Sequence, residues 1–447
     1  MLFSKSLRVG SIIAISMLFM FAWHVSPVRG AECGDVDNNG TIDISDLSYF
    51  VDYLFFTGPV PAPRVCFGDW DATGAVDMSD LSAIIDHLFF GGPSPSVGCC
   101  AAKPLFASGV EYSSGTGPHS TFSADLNGDH HPDLIVANDL DATVSVYFNH
   151  GDGTFVDRNT YAVESNPLSV FAADFNGDGH IDIAAATVNA NSVSVLLNRG
   201  NGTFYPYSTY AVDQKPKCVY GADLDADGDV DLITANAYSN DISILMNYGN
   251  GIFTHAADYP IVARGQCVRT ADLDGDGDLD IAALNQNDNS VSILLNDGHG
   301  SFTDQVPFQV GSWPHWLFVC DLNNDGRQDI VTTNQGTDSI SVLFNDGHAS
   351  FASRIDYQVG PNPRGVYAAD FDGDGHPDLA VANFGADFIT ILLNRGDGTF
   401  GTLMNITVGA NPIFVIGDDL DGNGTVDLHT ANYGGNSASV IKNLTNH

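Results

Sequence analysis

The chain has 447 residues, 44% of them hydrophobic, and a formal charge of −39 at neutral pH. Such acidity argues against a nucleic-acid partner, because phosphate binding needs clustered Lys and Arg. The hydrophobic content, together with Asp residues at fixed spacings, also argues against a disordered polyanion and for cation binding.

Residues 1–30 read as a secretory signal. Lys5 and Arg8 form its positive start, Ser11 to Trp23 its apolar stretch, and Val28-Arg29-Gly30 before Ala31 the cleavage site. Its removal takes away Lys5, Arg8 and Arg29 and leaves a charge of −42. No other stretch is long and apolar enough to span a bilayer. The expected location is therefore extracellular or on the cell surface, with no membrane span after cleavage. Seven cysteines in an exported chain suggest disulfides. Cys33, Cys66, Cys99 and Cys100 allow three pairings. Cys218 and Cys267 occupy the same place in adjacent repeats, and Cys320 fills a slot that is usually Ala. These three read either as buried free thiols or as bridge partners.

Residues 31–98 carry two acidic loops. Asp35, Asp37, Asn39, Gly40, Thr41, Asp43 and Asp46 occupy positions 1, 3, 5, 6, 7, 9 and 12 of a calcium loop. Asp69, Asp71, Thr73, Gly74, Ala75, Asp77 and Asp80 repeat the pattern 34 residues later. Position 7, Thr41 or Ala75, offers its carbonyl. Each loop runs into a helical apolar pattern, Leu47 to Phe55 and Leu81 to Phe89, stopped by Gly58-Pro59 and Gly91-Gly92-Pro93. The segment resembles a type I dockerin. That resemblance implies two Ca²⁺ and a cohesin-like partner read through Ile44-Ser45 and Met78-Ser79. Thr73 stands where such loops usually have Asp or Asn, which weakens the second site. A calcium-stabilised cap or spacer is the alternative reading. Residues 99–103 read as a linker.

Residues 104–447 are built on a second repeat. Asp125, Asp174, Asp223, Asp272, Asp321, Asp370 and Asp419 each open an acidic loop, and successive loops are 49 residues apart. A constant period of this size marks a repeat architecture. Within one repeat, Leu168 to Phe175 reads as a strand, Ile181 to Thr187 as a strand covered on both faces, and Ser192 to Leu197 as an alternating strand. Gly200-Asn201-Gly202-Thr203-Phe204 then turns into a fourth strand ending near Val212. Four strands repeated seven times predict a mainly β fold, a seven-bladed β-propeller. The last repeat stops after its third strand, whereas an extra strand, Phe106 to Tyr112, precedes the first. The N-terminal strand is therefore expected to complete the last blade and close the ring.

The loop motif Asp-x-Asp-x-Asp-Gly-x-x-Asp, with Gly-Asp-Gly-Thr-Phe downstream, resembles the FG-GAP or VCBS repeats of integrin-α-type propellers. Its expected side-chain ligands for Ca²⁺ are Asp125, Asn127, Asp129 and Asp133, then Asp174, Asn176, Asp178 and Asp182. Asp223, Asp225, Asp227 and Asp231 follow, then Asp272, Asp274, Asp276 and Asp280. The last three loops offer Asp321, Asn323, Asp325 and Asp329; Asp370, Asp372, Asp374 and Asp378; and Asp419, Asp421, Asn423 and Asp427. His131, His180, Asp229, Asp278, Arg327, His376 and Thr425 would give only a carbonyl. Like charges about 4 Å apart repel by roughly 1 kcal/mol in water and 4 at an effective dielectric of 20, so an ion relieves each loop. Up to nine Ca²⁺ are expected, in a structural role. His130 replaces the loop glycine of the other repeats, which makes the first loop the weakest.

The turns before each repeat's first strand are not uniform. After a recurrent Pro the sequence reads His119, Leu168, Lys217, Gln266, His315, Arg364 and Ile413. Trp313 and Trp316 flank His315, and Lys215, Arg264 and Arg269 are near in sequence. His119, Lys217, Trp313, His315, Trp316 and Arg364 are therefore expected to crown the channel mouth and bind a polysaccharide or another anionic ligand. The first functional reading is a binding or adhesion module. The alternative is a carbohydrate-active enzyme, a polysaccharide lyase or glycoside hydrolase component. No carboxylate pair outside the calcium loops, nucleophile elbow or zinc cluster supports the enzyme.

Overall fold

The computed structural model describes residues 105–304, 307–351 and 353–445. The expected signal, dockerin-like loops, linker and first four cysteines lie outside the described residues. The second of the chain's two units, Leu105–His447, is a ring of seven antiparallel sheets.

Each blade begins with an inner strand: Pro118–Ala124, Pro167–Ala173, Pro216–Ala222, Gly265–Ala271, Pro314–Cys320, Pro363–Ala369 and Pro412–Asp418. A second strand follows the acidic loop and is buried at all six positions in every blade, Asp133–Asn138 being the first. That matches its near-continuous apolar sequence. The outer strand of blade 4 is in two pieces, Phe302–Asp304 and Phe308–Gln309, both paired with the third strand.

Closure follows the expectation. Val110–Ser113 pairs antiparallel with Ser437–Ile441, with Val110 opposite Val440 and Ser113 opposite Ser437. Phe106 bridges Asn443 and packs edge-on against Phe371. The inner strands of blades 1 and 7 pack together, so the ring has no gap.

Two repeated devices hold blade to blade. An Asn at the end of each third strand reaches into the neighbouring blade: Asn198 Nδ2 donates to the Leu126 carbonyl at 2.8 Å, Asn247 to Phe175 at 2.8 Å and Asn149 to Leu420 at 2.7 Å. Asn296, Asn345, Asn394 and Asn443 do the same in the other blades. Farther out, an aromatic ring of one blade meets the turn Phe of the next edge-on, as in Tyr161–Phe204 and Tyr210–Phe253.

Every inner strand carries a bulge beside its first residue. Pairing skips from Pro118 to Ser120, from Pro216 to Cys218 and from Pro363 to Gly365. The skipped residue is re-aimed. In blades 1, 3, 5 and 6 it is His119, Lys217, His315 or Arg364, so the bulge explains why the variable column gathers at the channel mouth.

Candidate functional site

The acidic loops join inner and second strands on one face of the ring. The first Asp of each folds the loop on itself: Asp174 accepts from the Gly177 and Gly179 amides at 2.8 and 2.7 Å, and Asp370 from Gly373 and Gly375 at 2.7 Å each. The last Asp is buried and staples two segments. Asp133 takes the Leu126 amide on Oδ2 at 3.0 Å and the Asn149 amide on Oδ1 at 2.9 Å. In four loops, ligand oxygens lie within 4.8 Å of one another: Asp223, Asp225 and Asp231; Asp272, Asp274 and Asp276; Asp370, Asp372 and Asp374; Asp419, Asp421 and Asp427. These clusters could hold a metal ion. Burial, countered by the two amides, raises Asp133 to about 6 and Asp231 and Asp427 to about 7. Their charge lacks compensation from the protein, and an all-oxygen donor set suits a hard divalent cation. His130 adopts φ 68°, a left-handed conformation that its glycine counterparts accept without a Cβ penalty.

The opposite face holds the channel mouth, a cavity of about 240 Å³. His119, Lys217, Trp313, His315, Trp316 and Arg364 all line it, together with Leu168, Arg264, Gln266, Gln286 and Gln335. His119 Nδ1 lies 2.8 Å from the Leu168 carbonyl, and Gln266 Nε2 donates to Gln286 Oε1 at 2.7 Å. The Arg364 guanidinium lies 3.7 Å from the centre of the Phe384 ring. Arg264 Nε, Arg364 Nε and His315 Nδ1 are buried without a hydrogen-bond partner.

The FG-GAP-like repeat pattern matches residues 125–185, 174–234, 223–283, 272–332, 321–381 and 371–430. The chain belongs to the FG-GAP-like repeat family. No curated protein matches it. Similar solved structures include BBS1N in complex with ARL6DN, 10% identical, covering 76% of this chain and 98% of that one at a TM-score of 0.57. A catalytically inactive virginiamycin B lyase from Staphylococcus aureus with quinupristin is 13% identical over 75% and 99%, at 0.52. The periplasmic gluconolactonase of Pseudomonas aeruginosa is 16% identical over 66% and 86%, at 0.51. At these identities the likeness is one of fold alone.

The mouth of this FG-GAP propeller is cationic within a strongly acidic chain. Among the described residues, no ion pair within 4 Å joins Lys217, Arg264 or Arg364 to a carboxylate. Burial, then the charge of Arg264, lowers Lys217, and burial brings Arg364 down to about 10. Burial, reinforced by Lys217 and Arg364, drives His119 to about 3. His315 is held well below its ordinary value by burial and then Arg364. Both imidazoles are therefore neutral at physiological pH.

Two placements differ from the simplest reading of the sequence. Arg269, close to the mouth in sequence, lies instead on a second cavity with Phe122, Phe171, Tyr220 and Phe318, whose counterparts ring the channel. Gln286 and Gln335 were not singled out from the sequence. They follow the second strand in a column that reads Asp139, Val188, Ala237, Gln286, Gln335, Phe384 and Tyr433. Its variability within a regular repeat was the available signal.

Proposed function

We propose that the protein is an exported, calcium-loaded binding module whose channel mouth takes a carboxylated saccharide or a similar anionic ligand. The observation that carries this reading is the set of orphaned donors on Arg264, Arg364 and His315 beside unpaired Lys217. A buried polar group without a partner costs about 1–3 kcal/mol, so three on one cavity mark a place where a ligand supplies acceptors.

Backbone strain supports the same place. The residue before each inner strand has positive φ in all seven blades. Four blades use Gly117, Asn166, Asn362 and Asn411, which suit that conformation. Three consecutive blades use Lys215, Arg264 and Trp313. Bulky residues are kept in such a conformation where their side chains serve a function. Trp313 is 45% exposed and offers an apolar face for a sugar ring beside the cations. In this reading calcium stiffens the loops on the far face, and the dockerin-like segment tethers the propeller to a cohesin-like partner.

A cleaving role has one specific observation in its favour. Neutral His119 and His315 sit beside cations that would acidify a proton next to a bound carboxylate. The test is glycan-array binding with calcium present, comparing uronate-containing with neutral polysaccharides, and an assay for unsaturated products in the same wells. Uronate-selective binding without cleavage is expected. Equal binding to neutral glycans, or no binding to any anion, would sink the proposal; unsaturated products would establish the enzyme.

A further inference from the structure

Below the mouth, the inner strands of blades 3 and 4 bring Cys218 and Cys267 together. Their sulfurs are 3.8 Å apart, and both side chains are fully buried. Both are free thiols. Arg269 Nη1 lies 3.7 Å from Cys218 Sγ and 3.4 Å from Cys267 Sγ, and donates to the Val268 carbonyl at 2.7 Å. The guanidinium is held between the faces of Tyr220 and Trp316, at 4.7 and 4.8 Å from the ring centres. Its position is thus fixed by stacking on both sides, with the two sulfurs at its edge. The equivalent column elsewhere reads Ser120, Ser169, Trp316, Gly365 and Phe414, so the paired thiols occur at one blade interface.

We propose that Cys218 and Cys267 form a reactive dithiol, which hydroperoxides convert to a disulfide joining blades 3 and 4. Three observations combine in its support. The sulfurs are neighbours, so closing to a bond of about 2.05 Å takes side-chain rotation and a small approach of the two strands. A fixed guanidinium touches both, as expected where a thiolate is stabilised. The adjoining cavity, about 250 Å³, is lined by Arg269, Val219, Tyr220 and Trp316, so a small peroxide entering it meets the group that contacts both sulfurs. Burial disfavours a thiolate, but the Cys267 thiol and then Arg269 outweigh it and bring Cys218 to about 6. Burial and the neighbouring sulfur push Cys267 up. The pair therefore holds one thiolate and one thiol near neutral pH.

The chemistry balances. The thiolate attacks a peroxide oxygen, the O–O bond breaks, and a sulfenic acid forms as hydroxide or alkoxide leaves. The second sulfur displaces hydroxide from the sulfenic acid, giving the disulfide. The departing anions take up the two thiol protons. With hydrogen peroxide the sum is two thiols oxidised, two electrons passed to the peroxide and two waters formed.

The test uses the full chain, reduced, freed of reductant and exposed to equimolar hydrogen peroxide. Non-reducing peptide mapping by mass spectrometry is expected to find Cys218 linked to Cys267 with the loss of two hydrogens. Cys218→Ser and Cys267→Ser should each leave a trappable sulfenic acid or an unreacted thiol in place of the bridge. Arg269→Gln should slow oxidation about tenfold and move the midpoint of its pH–rate profile upward, which a merely structural role would not do. The proposal is overturned if both cysteines of the unsubstituted chain remain alkylatable after peroxide and denaturation. It is also overturned if Cys320 takes either place in the bridge, or if Arg269→Gln leaves the rate and pH profile unchanged. None of these results bears on ligand binding at the mouth.

Discussion

Thr121 and His429 meet across the seam that closes the ring, with His429 Nδ1 2.9 Å from Thr121 Oγ1. Both are fully buried. In the other six blades the Thr121 column reads Val170, Val219, Val268, Leu317, Val366 and Val415, and the His429 column Ile135, Ala184, Ile233, Ala282, Val331 and Ala380. One matched polar pair therefore stands where the other interfaces are apolar, at the junction made by the two ends of the propeller. Removing one partner leaves the other unsatisfied, whereas replacing both does not. Thr121→Val alone and His429→Ala alone should each cost about 1–3 kcal/mol, and the double variant clearly less than their sum. Urea unfolding of the four proteins measures the coupling; strict additivity would contradict it.

Acid should weaken this seam in a defined window. Burial holds His429 at about 3, below its unfolded value of about 6.5. The unfolded chain therefore takes up the proton first, and stability is lost as pH falls from about 6.5 towards 3. The loss is about 1.4 kcal/mol per pH unit for one such group. Other groups titrate in the same range, so the informative quantity is the stability gap between the unsubstituted protein and His429→Gln, measured with calcium. That gap should shift in favour of the variant between pH 6.5 and 4.5. A constant gap would mean that His429 is not held neutral.

Calcium removal should lower the melting temperature. Each loop gathers carboxylates whose buried last member is pushed upward, and a bound cation would reverse that. One ligand at 100 times its Kd stabilises by about 2.7 kcal/mol, and several sites add. Calorimetry with and without a chelator tests this, and an unchanged melting temperature would rule out the calcium reading. His130→Gly should tighten the first loop, because it removes a Cβ at a φ of 68°.

The Asn clamps should matter individually. Asn247 Nδ2 donates to the carbonyls of Phe175 and Val230 at 2.8 and 3.1 Å. Asn247→Ala leaves both acceptors unsatisfied and should cost about 2–4 kcal/mol, two lost partners at about 1–2 each. Denaturant midpoints would show it, and a change within the measurement error would remove the clamp from the account.

Much of this architecture was legible because a propeller of identical blades writes its geometry as a period. The 49-residue spacing gave blade number, and the surplus strand at Phe106 to Tyr112 gave closure. The mouth residues were legible as departures from that regularity. Features set by backbone pairing were not. The bulge that turns Lys217 and Arg364 into the mouth leaves no composition signal, since it is a register shift. Arg269 lies five residues after Arg264, yet strand direction carries it from the mouth into the channel beside Cys218 and Cys267. Adjacency between columns of neighbouring blades is a property of the closed ring.

The strained cations at the mouth predict opposite effects on stability and binding. Arg264 has φ 46°, lies near Lys217 and leaves Nε unpaired. Arg264→Asn installs the residue type that Asn166, Asn362 and Asn411 use at this position. It removes both the backbone penalty and a repulsive charge. It should stabilise the fold by about 1 kcal/mol and weaken binding of an anionic glycan. Lys217→Ala, His315→Ala and Arg364→Ala combined should abolish that binding without lowering the melting temperature, because no carboxylate partner is lost. If Arg264→Asn instead destabilises the propeller while binding persists, the mouth cations are structural, and the anion-binding reading fails with them.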